Sequence, residues 1–289
     1  MSFSYDEMTG RNIGFVTPDE QARLRAATVF VCGTGGMGGA AILSLARAGV
    51  GRFVIADIDA FDISNINRQV FAFADTAGRH KAEVTAEALA RINPEIVVEV
   101  LKDDWPDHAA RAVASAAVVI NGTDDLGASL LLYRTARDQG RKVIDAYAAP
   151  LPSVYVTEPG DIPHEARLGY PTQGTAWNAL SDDQRAQAFL REAEHVMIHS
   201  SSRRYIDLDL VGQVVAGTRP RMSFAPMVIT TGQLMAWEAV RAILGQPRGA
   251  DNRGWFFNPH DARVERPKPA WLAAILRPVV RATMNRLLR

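Results

Sequence analysis

The chain has 289 residues, of which 47% are hydrophobic, and this length is enough to bury a sizeable core. Its 32 basic and 32 acidic side chains give a formal net charge of zero, so there is no electrostatic reason to expect double-stranded nucleic acid as a partner. No apolar run reaches membrane-spanning length and no leader-like segment opens the sequence, which together predict a cytoplasmic protein.

The first part of the chain predicts a helix followed by a buried strand. Thr17 suits a helix N-cap, with Pro18 in the first helical position. Residues 28–32 form an apolar, β-branched run, as expected of a strand that is buried on both faces of a sheet. The one cysteine of the sequence, Cys32, lies in this strand, so no disulfide and no structural zinc are expected.

Glycines follow this strand at the spacing G-x-G-x-x-G. They are Gly33, Gly35 and Gly38, with Gly36 between them, and a helix is predicted afterwards over residues 40–48. Because glycine has no Cβ, the turn can be tight and the first amides of the helix can approach a phosphate closely. The pattern predicts a phosphate-binding turn.

Carboxylates and cations then follow at positions that suit a nucleotide. The second predicted strand, residues 53–56, leads to Asp57 and Asp59, and Asp57 lies 19 positions beyond Gly38, where a carboxylate can accept hydrogen bonds from a ribose. A bidentate arginine and a point-charge lysine suit a triphosphate, which carries more charge than the pyrophosphate of a nicotinamide cofactor. The side chains expected to hold the phosphates are Asn65, Arg68, Gln69 and Lys81.

These motifs, in this order, resemble the ubiquitin-activating-enzyme superfamily, which includes the bacterial ThiF- and MoeB-type adenylyltransferases. The resemblance rests on the runs G-x-G-G-x-G, D-I-D, S-N-x-x-R-Q, G-x-x-K-A and I-N-P. It is close over residues 11–124 and looser over 223–245. It implies a homodimer that binds ATP and Mg²⁺, in which a substrate carboxylate attacks the α-phosphorus to give an acyl-adenylate and pyrophosphate.

The resemblance assigns roles to two further residues. Arg11 falls where the family carries an arginine that reaches the nucleotide site of the other subunit, a charge-stabilising role; a solvated arginine in a loose terminal arm is the alternative. Asp124 follows a predicted strand, residues 117–121, and can bind Mg²⁺ at the carboxyl end of the sheet. Alternatively, Thr123, Asp124 or Asp125 caps the helix that begins there.

The region 158–222 departs from the family pattern. Relatives that use a thioester or persulfide carry a catalytic cysteine here, and this chain has none after position 32, so a cysteine relay is not expected. The adenylate is expected to pass to a partner enzyme, or to react with an amine, amide or thiol of a second substrate. The region can also cover the active site, with Tyr170, Thr172 and Trp177 contacting the substrate.

Within that region a helix is predicted from Ser181 to about Ile198, and it carries two histidines one turn apart. Side chains at i and i+4, here His195 and His199, can bind zinc, and Glu192 lies near the same face. Because the His-Glu-x-x-His order and a third ligand are missing, a solvated or capping pair is the favoured interpretation.

The last residues, 267–289, form a basic amphipathic tail that two prolines set off. Residues 263–289 contain seven Lys and Arg side chains and one acid, Glu265. The tail can contact an anionic membrane surface weakly, bind an acidic partner, or pack on its own domain or dimer mate. Pro278 is expected to interrupt a helix here.

Together these features predict a doubly wound, mostly parallel α/β sheet of Rossmann type with an antiparallel extension. Residues 1–266 are expected to form a single ATP-binding domain that adenylates the carboxylate of a ubiquitin-like carrier protein, a peptide or a small molecule. An NAD-binding oxidoreductase would explain the glycines but leave Arg68, Lys81 and Asp124 without a purpose. A non-catalytic nucleotide-binding member of the same fold is the other alternative.

Overall fold

The computed structural model describes residues 3–147, 149–215 and 217–287. The helices and strands, in chain order, are α1 (Tyr5–Thr9), α2 (Pro18–Ala26), β1 (Thr28–Cys32), α3 (Gly36–Arg47), β2 (Arg52–Ala56), α4 (Lys81–Ile92), β3 (Val97–Leu101), α5 (Trp105–Ser115), β4 (Val118–Asn121), α6 (Leu126–Asp138), β5 (Val143–Asp145), β6 (Ser153–Thr157), α7 (His164–Leu168), α8 (Asp182–His199), α9 (Leu208–Val215), α10 (Ala225–Ile243), β7 (Trp255–Asn258), β8 (Arg263–Glu265) and α11 (Ala270–Leu287).

The eight strands found in these ranges form one sheet in the order β3-β2-β1-β4-β5-β6-β7-β8. The first five strands of that order run parallel. The last three extend the sheet by antiparallel pairing. The chain reverses its direction of travel across the sheet between β1 and β4, which is where open α/β sheets bind ligands at the carboxyl ends of their strands. The predicted fold class is therefore confirmed.

Strand β1 illustrates how the sequence produces two cores. Its side chains alternate between the sheet faces, so that Val29 and Val31 pack with α3 and α10 while Phe30 and Cys32 pack with α5 and α6. Both sets are buried, which explains why the strand has no polar interruption. Burial also raises the pKa of the Cys32 thiol well above its usual range, so this thiol packs as a small apolar side chain.

Helix α10 crosses α3 closely enough to hold the start of α3 in place. A Cβ at Gly232 of α10 would lie 2.5 Å from the carbonyl oxygen of Met37, so glycine allows the two backbones to approach. One turn earlier, Val228 packs against Gly36, where an added Cβ would collide with it. The late helix α10 therefore supports the turn that the glycines form after β1.

The C-terminal helix packs on the inserted region of the same chain, one of the placements that the sequence left open for the tail. Ala273 and Val280 of α11 pack against Ile198 of α8. Two arginines of α11 also form ion pairs with one buried acid of α8, Glu194. Nε of Arg277 lies 3.0 Å from its carboxylate, and Nε of Arg281 lies 2.8 Å from it. Leu288 and Arg289 lie outside the described residues.

The expected interruption of this helix at Pro278 is wrong, because α11 continues through it. A proline inside a helix leaves the carbonyl four residues earlier, here that of Ala274, without its amide donor. Both residues are exposed, so water can satisfy that carbonyl. The contacts of Ala273 and Val280 hold the helix on either side of the proline.

Candidate active site

The turn between β1 and α3 requires glycine at two positions. Gly33 has a φ of +89°, and a Cβ there would lie 2.5 Å from the backbone nitrogen of Thr123. A Cβ at Gly38 would collide with the carbonyl oxygen of Gly33. Helix α3 therefore begins at Gly36, four residues before the predicted start at residue 40, because close backbone contacts place the glycines inside its first turn.

No side chain in the described part of the chain caps the N-terminus of α3, since Gly35 occupies the N-cap position. The first amides of a helix have no partner within the helix, and they carry the positive end of its dipole. An N-terminus of this kind, framed by glycines, fits a phosphate.

Asp57 ties the end of β2 to this turn. One carboxylate oxygen accepts hydrogen bonds from the backbone nitrogen and the hydroxyl of Thr34, at 2.7 and 2.9 Å. The other accepts from the backbone nitrogen of Asp59 at 3.0 Å. A carboxylate has about four lone-pair sites, so Asp57 can still accept from a ribose while it holds the turn.

Lys81 stands beside these acids at the first position of α4. Its ammonium donates to the Asp59 carboxylate at 2.8 Å, and its side chain is only 10% exposed. The backbone nitrogen of Lys81 also donates to the carbonyl of Asp59, at 2.9 Å. Backbone and side-chain contacts together fix a nearly buried cation beside Asp59.

The segment between β2 and α4 carries three of the predicted phosphate-binding residues, of which Arg68 and Gln69 lie near the glycine turn. Arg68 donates from one guanidinium nitrogen to the carbonyl of Ser64 and to the Asn67 side chain, both at 2.8 Å. Asn65 is buried and accepts from the backbone of Asp62 at 3.2 Å, so its carbonyl caps a local 3-10 turn.

Gln69 supplies an unpaired acceptor beside the glycines. A Cβ at Gly35 would lie 3.5 Å from its side-chain nitrogen. Its side-chain oxygen is buried and has no hydrogen-bond partner among the described residues. Buried acceptors are rarely left unpaired in folded proteins, so this atom fits a ligand that brings a donor. This unpaired acceptor, together with glycines whose positions leave no room for a Cβ, indicates that the residues present fit a nucleotide.

Two neighbouring acids after β4 take different roles. Asp125 caps α6, because its carboxylate accepts from the backbone nitrogen of Ala128 at 2.7 Å. Asp124 is free of that role, with its side chain 81% exposed. The capping alternative therefore applies to Asp125, and the carboxylate of Asp124 stays available for a cation.

The nearest cation to Asp124 is one that the sequence did not single out. Arg221, in the loop before α10, lies 3.4 Å from the Asp124 carboxylate. Its guanidinium also stacks over the ring of Phe189 in α8, 5.4 Å from the ring centre. Because Arg221 lies in the divergent region and forms no motif, only the three-dimensional contact reveals it.

Arg11 is exposed, but the arm that carries it is not loose. The side chain of Asn12 donates to the carbonyl of Ala48 at 3.2 Å, and the hydroxyl of Tyr5 donates to that of Gly49 at 2.7 Å. Those carbonyls lie at the C-terminal end of α3, whose 12 residues span about 18 Å. Arg11 is thus held far from the glycine turn of its own chain.

Two of the three residues expected to contact substrate in the divergent region are buried within that region. Tyr170 is 3% exposed and donates to Glu192 at 2.5 Å. Thr172 is fully buried and donates to Glu165 at 2.7 Å. Trp177 packs against the same cluster as Tyr170. Tyr170 and Thr172 thus help to build the core of the insertion, whereas substrate contact by the half-buried Trp177 stays a prediction.

The histidine pair of α8 is also interior. The imidazole of His195 is buried and donates to the carbonyl of Arg253 at 3.1 Å, and His199 accepts from the backbone nitrogen of Lys268 at 3.1 Å. Desolvation lowers the pKa of His195 to about 2, so it is neutral. The expectation that His195 is solvated is therefore wrong, because the side chain is buried. The described ranges contain no group of three His, Cys, Asp or Glu side chains arranged to hold a metal.

A buried polar cluster lies at the carboxyl end of β5, on the same sheet edge as the glycine turn. The hydroxyl of Tyr133 donates to the Asp145 carboxylate at 2.8 Å. Desolvation raises the pKa of Asp145 from its ordinary value near 3.8 to about 7, despite that hydrogen bond. Burial likewise raises the pKa of Glu192.

A family comparison agrees with this geometry. The model of the ThiF family matches residues 9–271. The chain belongs to the ThiF family. Among curated relatives, it is similar to the tRNA threonylcarbamoyladenosine dehydratase of Haemophilus influenzae, at 40% identity over 100 residues (35% of this chain, 38% of that protein). It is also similar to the sulfur carrier protein ThiS adenylyltransferase of Escherichia coli, at 38% identity over 109 residues (37% of this chain, 43% of that protein). The chain thus matches less than half the length of these relatives.

Solved structures support the ThiF fold over most of the chain. The E. coli tRNA N6-threonylcarbamoyladenosine dehydratase TcdA in complex with ATP is similar at a TM-score of 0.59 and 23% identity, covering 84% of this chain and 96% of that one. The microcin C7 biosynthetic enzyme MccB in complex with N-formylated MccA is similar at a TM-score of 0.64 and 18% identity, covering 93% and 76%.

The raised pKa of Asp145 predicts a pH-dependent stability. The folded chain binds this proton more tightly than the unfolded chain, so the stabilising contribution is full below the ordinary aspartate pKa and is lost as pH rises through about 7. Asp145→Asn removes the titration. We expect the free energy of unfolding of the wild type, relative to the variant, to fall by on the order of a few kcal/mol between about pH 4 and pH 8 in urea denaturation. The exposed Asp138→Asn serves as control and should keep the wild-type pH dependence, whereas the same pH dependence in Asp145→Asn would contradict the assignment.

Proposed function

We propose that this ThiF-family chain is an ATP-dependent adenylyltransferase that activates a substrate carboxylate. Three segments converge on one glycine turn, and this convergence carries the proposal. Asp57 bonds to Thr34 within the turn, Gln69 lies beside Gly35, and the backbone before Asp124 touches Gly33. Acids, an amide and cations thus surround a helix N-terminus that fits a phosphate.

The roles follow from charge and position. ATP is the substrate, and Asp124 would hold Mg²⁺, which requires few protein ligands when phosphate oxygens supply the rest. Asp57 and Asp59 suit the ribose or assist the metal, and the cations suit the triphosphate. The residues assigned to the nucleotide are Gly33, Gly35, Gly36, Gly38, Asp57, Asp59, Asn65, Arg68, Gln69 and Lys81.

In the reaction, a carboxylate oxygen of the substrate attacks the α-phosphorus of ATP. A new P–O bond forms to the acyl group, the bond to the β-phosphate oxygen breaks, and pyrophosphate leaves with the electron pair. Arg68 and Lys81 stabilise the negative charge on the phosphates, a preorganised electrostatic contribution. No proton has to be removed from the nucleophile, because a carboxylate is already ionised near neutral pH.

The relatives suggest the class of substrate. One is named for adenylating the sulfur carrier protein ThiS, and one solved structure holds the peptide N-formylated MccA. We propose a ubiquitin-like carrier or a peptide as the source of the carboxylate. Since Cys32 is buried in β1, the adenylate would pass to a partner enzyme or to a second substrate rather than to a thiol of this chain.

We further propose a homodimer in which Arg11 completes the partner's site, and we expect a cytoplasmic enzyme without structural zinc. The arm of Arg11 is tied to the far end of α3 by Asn12, about 18 Å from its own glycine turn. This separation exceeds the length of an arginine side chain. Arg11 can therefore meet a nucleotide only if another chain presents one.

ATP–pyrophosphate exchange tests the activity. With labelled pyrophosphate and a panel that includes carrier proteins and peptides, we expect exchange with one carboxylate substrate. Asp124→Ala and Arg68→Ala should each reduce it by on the order of a hundredfold, because charge stabilisation at the phosphates is lost. Asp138→Asn is the matched surface control. If the wild type fails to bind Mg²⁺–ATP in calorimetry, the adenylyltransferase assignment is wrong; NAD binding in its place would favour an oxidoreductase.

The ion pair between Arg221 and Asp124 predicts an effect on the metal requirement. Arg221 competes with a cation for this carboxylate, so Arg221→Ala should lower the Mg²⁺ concentration that gives half-maximal ATP binding. Exposed pairs are worth about 0.2–1 kcal/mol, so the expected shift in calorimetric titration lies between roughly 1.4-fold and fivefold. Arg219→Ala, two positions away, is the control. An unchanged Mg²⁺ requirement in Arg221→Ala, or an equal shift in the control, would refute the competition.

Mixed dimers test the role of Arg11. Arg11→Ala and Asp124→Ala subunits, carrying different tags, are co-expressed and the mixed dimer is isolated. If Arg11 acts across the interface, one site of this dimer is complete, and about half of the wild-type exchange per dimer should return. If both single variants are inactive and the mixed dimer is too, Arg11 acts within its own chain. Full activity of the Arg11→Ala homodimer would show that Arg11 has no role in the reaction.

A further inference from the structure

Helix α11 presents an apolar stripe to solvent. Trp271, Ile275 and Val279 are spaced four residues apart along one side of the helix and are 66%, 63% and 59% exposed. We call these three side chains the outer stripe. The opposite side of the helix is already packed, since Ala273 and Val280 contact α8. The outer stripe is therefore exposed although the helix has its own packing face in the fold.

The charged side chains of α11 and of the segment just before it all have one sign. Residues 266–287 contain no acid. Glu194 of α8 pairs with two arginines of this helix, so one of those two positive charges is not neutralised. The cations of this segment are Arg266, Lys268, Arg277, Arg281 and Arg286.

Several of these cations are close together in space. The backbone nitrogen of Lys268 donates to His199 at 3.1 Å. Desolvation first, and then charges that include those of Lys268 and Arg277, lower the pKa of His199 to about 4. Arg203, in the 3-10 turn after α8, similarly contributes to lowering the pKa of Lys268, for which desolvation is the first cause. Cations thus cluster where the N-terminal half of α11 meets the C-terminal end of α8.

We propose that the outer stripe and its surrounding cations dock this protein on an anionic lipid bilayer, with α11 lying parallel to the membrane plane. An apolar face bearing tryptophan, flanked by arginines, binds at the headgroup boundary through burial and electrostatic attraction together. The proposal does not require α11 to span the bilayer, and every helix in the described ranges is too short or too polar to do so. The family match ends at residue 271, so nearly all of α11 lies beyond it.

A second copy of the chain fits this surface less well. Three side chains with these exposures offer roughly 300–400 Å² of apolar surface per copy. Two copies together would bury well under the roughly 1,200–2,000 Å² of a stable interface. Contact between two such helices would also bring arginines of like sign together, whereas an anionic bilayer attracts them.

Vesicle co-sedimentation tests the proposal with the full chain. We expect binding to vesicles of phosphatidylcholine with phosphatidylserine, weaker binding to phosphatidylcholine alone, and loss of binding as salt rises. Ile275→Ser should weaken the partition by about tenfold or more, since it removes one buried apolar side chain. Arg286→Glu should reduce binding to the anionic vesicles but not to the neutral ones.

Ile162→Ser is the matched control, because Ile162 is 62% exposed, almost the same as Ile275. Both variants change surface positions, and their urea denaturation curves verify that they fold. Absence of wild-type binding to the anionic vesicles, or equal weakening in the two isoleucine variants, would overturn the proposal. Concentration-dependent self-association that Ile275→Ser abolishes, without vesicle binding, would assign the outer stripe to a second copy instead.

Discussion

The backbone contact between Gly38 and Gly33 is the constraint on which the candidate site depends. No side chain fits at Gly38, because its Cβ would collide with the carbonyl oxygen of Gly33. A Cβ at Gly33 would in turn meet the backbone after β4, 2.5 Å from the nitrogen of Thr123. Strands β1 and β4 and the start of α3 are therefore locked at one point, and the acids that follow β2 and β4 reach the same crevice as the helix amides.

Features with local causes were predictable from the sequence. Strand β1 reads as apolar on both faces because helices cover both faces of the sheet at that position. The glycine spacing predicted the turn because two of the glycines avoid nearby backbone clashes: Gly38 with Gly33, and Gly33 with the residues that follow the neighbouring strand β4. The sequence also limited the N-cap of α6 to one of three residues, 123–125. Only the hydrogen bond from the backbone nitrogen of Ala128 shows that Asp125 is the cap.

Features with distant causes were not predictable. Pro278 is accommodated because contacts with α8 hold the helix on both sides of it, and no local pattern reports those contacts. The interior tyrosines have no periodic signal, since Tyr133 of α6 and Tyr170 of the inserted region come together only in the fold, where each ring packs against the ring of His164. Arg221 reaches Asp124 across 97 positions of sequence for the same reason.

The length of α3 links the fold to the proposed assembly. In the proposed site the helix presents its N-terminus to the nucleotide, while the carbonyls after its C-terminal end anchor the arm that carries Arg11. The proposed phosphate site and the anchor of the Arg11 arm therefore lie at opposite ends of α3, about 18 Å apart. Because the helix is rigid, these two ends cannot approach each other. An arginine fixed to the distal end can stabilise a phosphate only when a second chain brings its glycine turn to that end. A site built in this way would couple catalysis to dimer formation, because dissociation would remove a cation from both nucleotides at once.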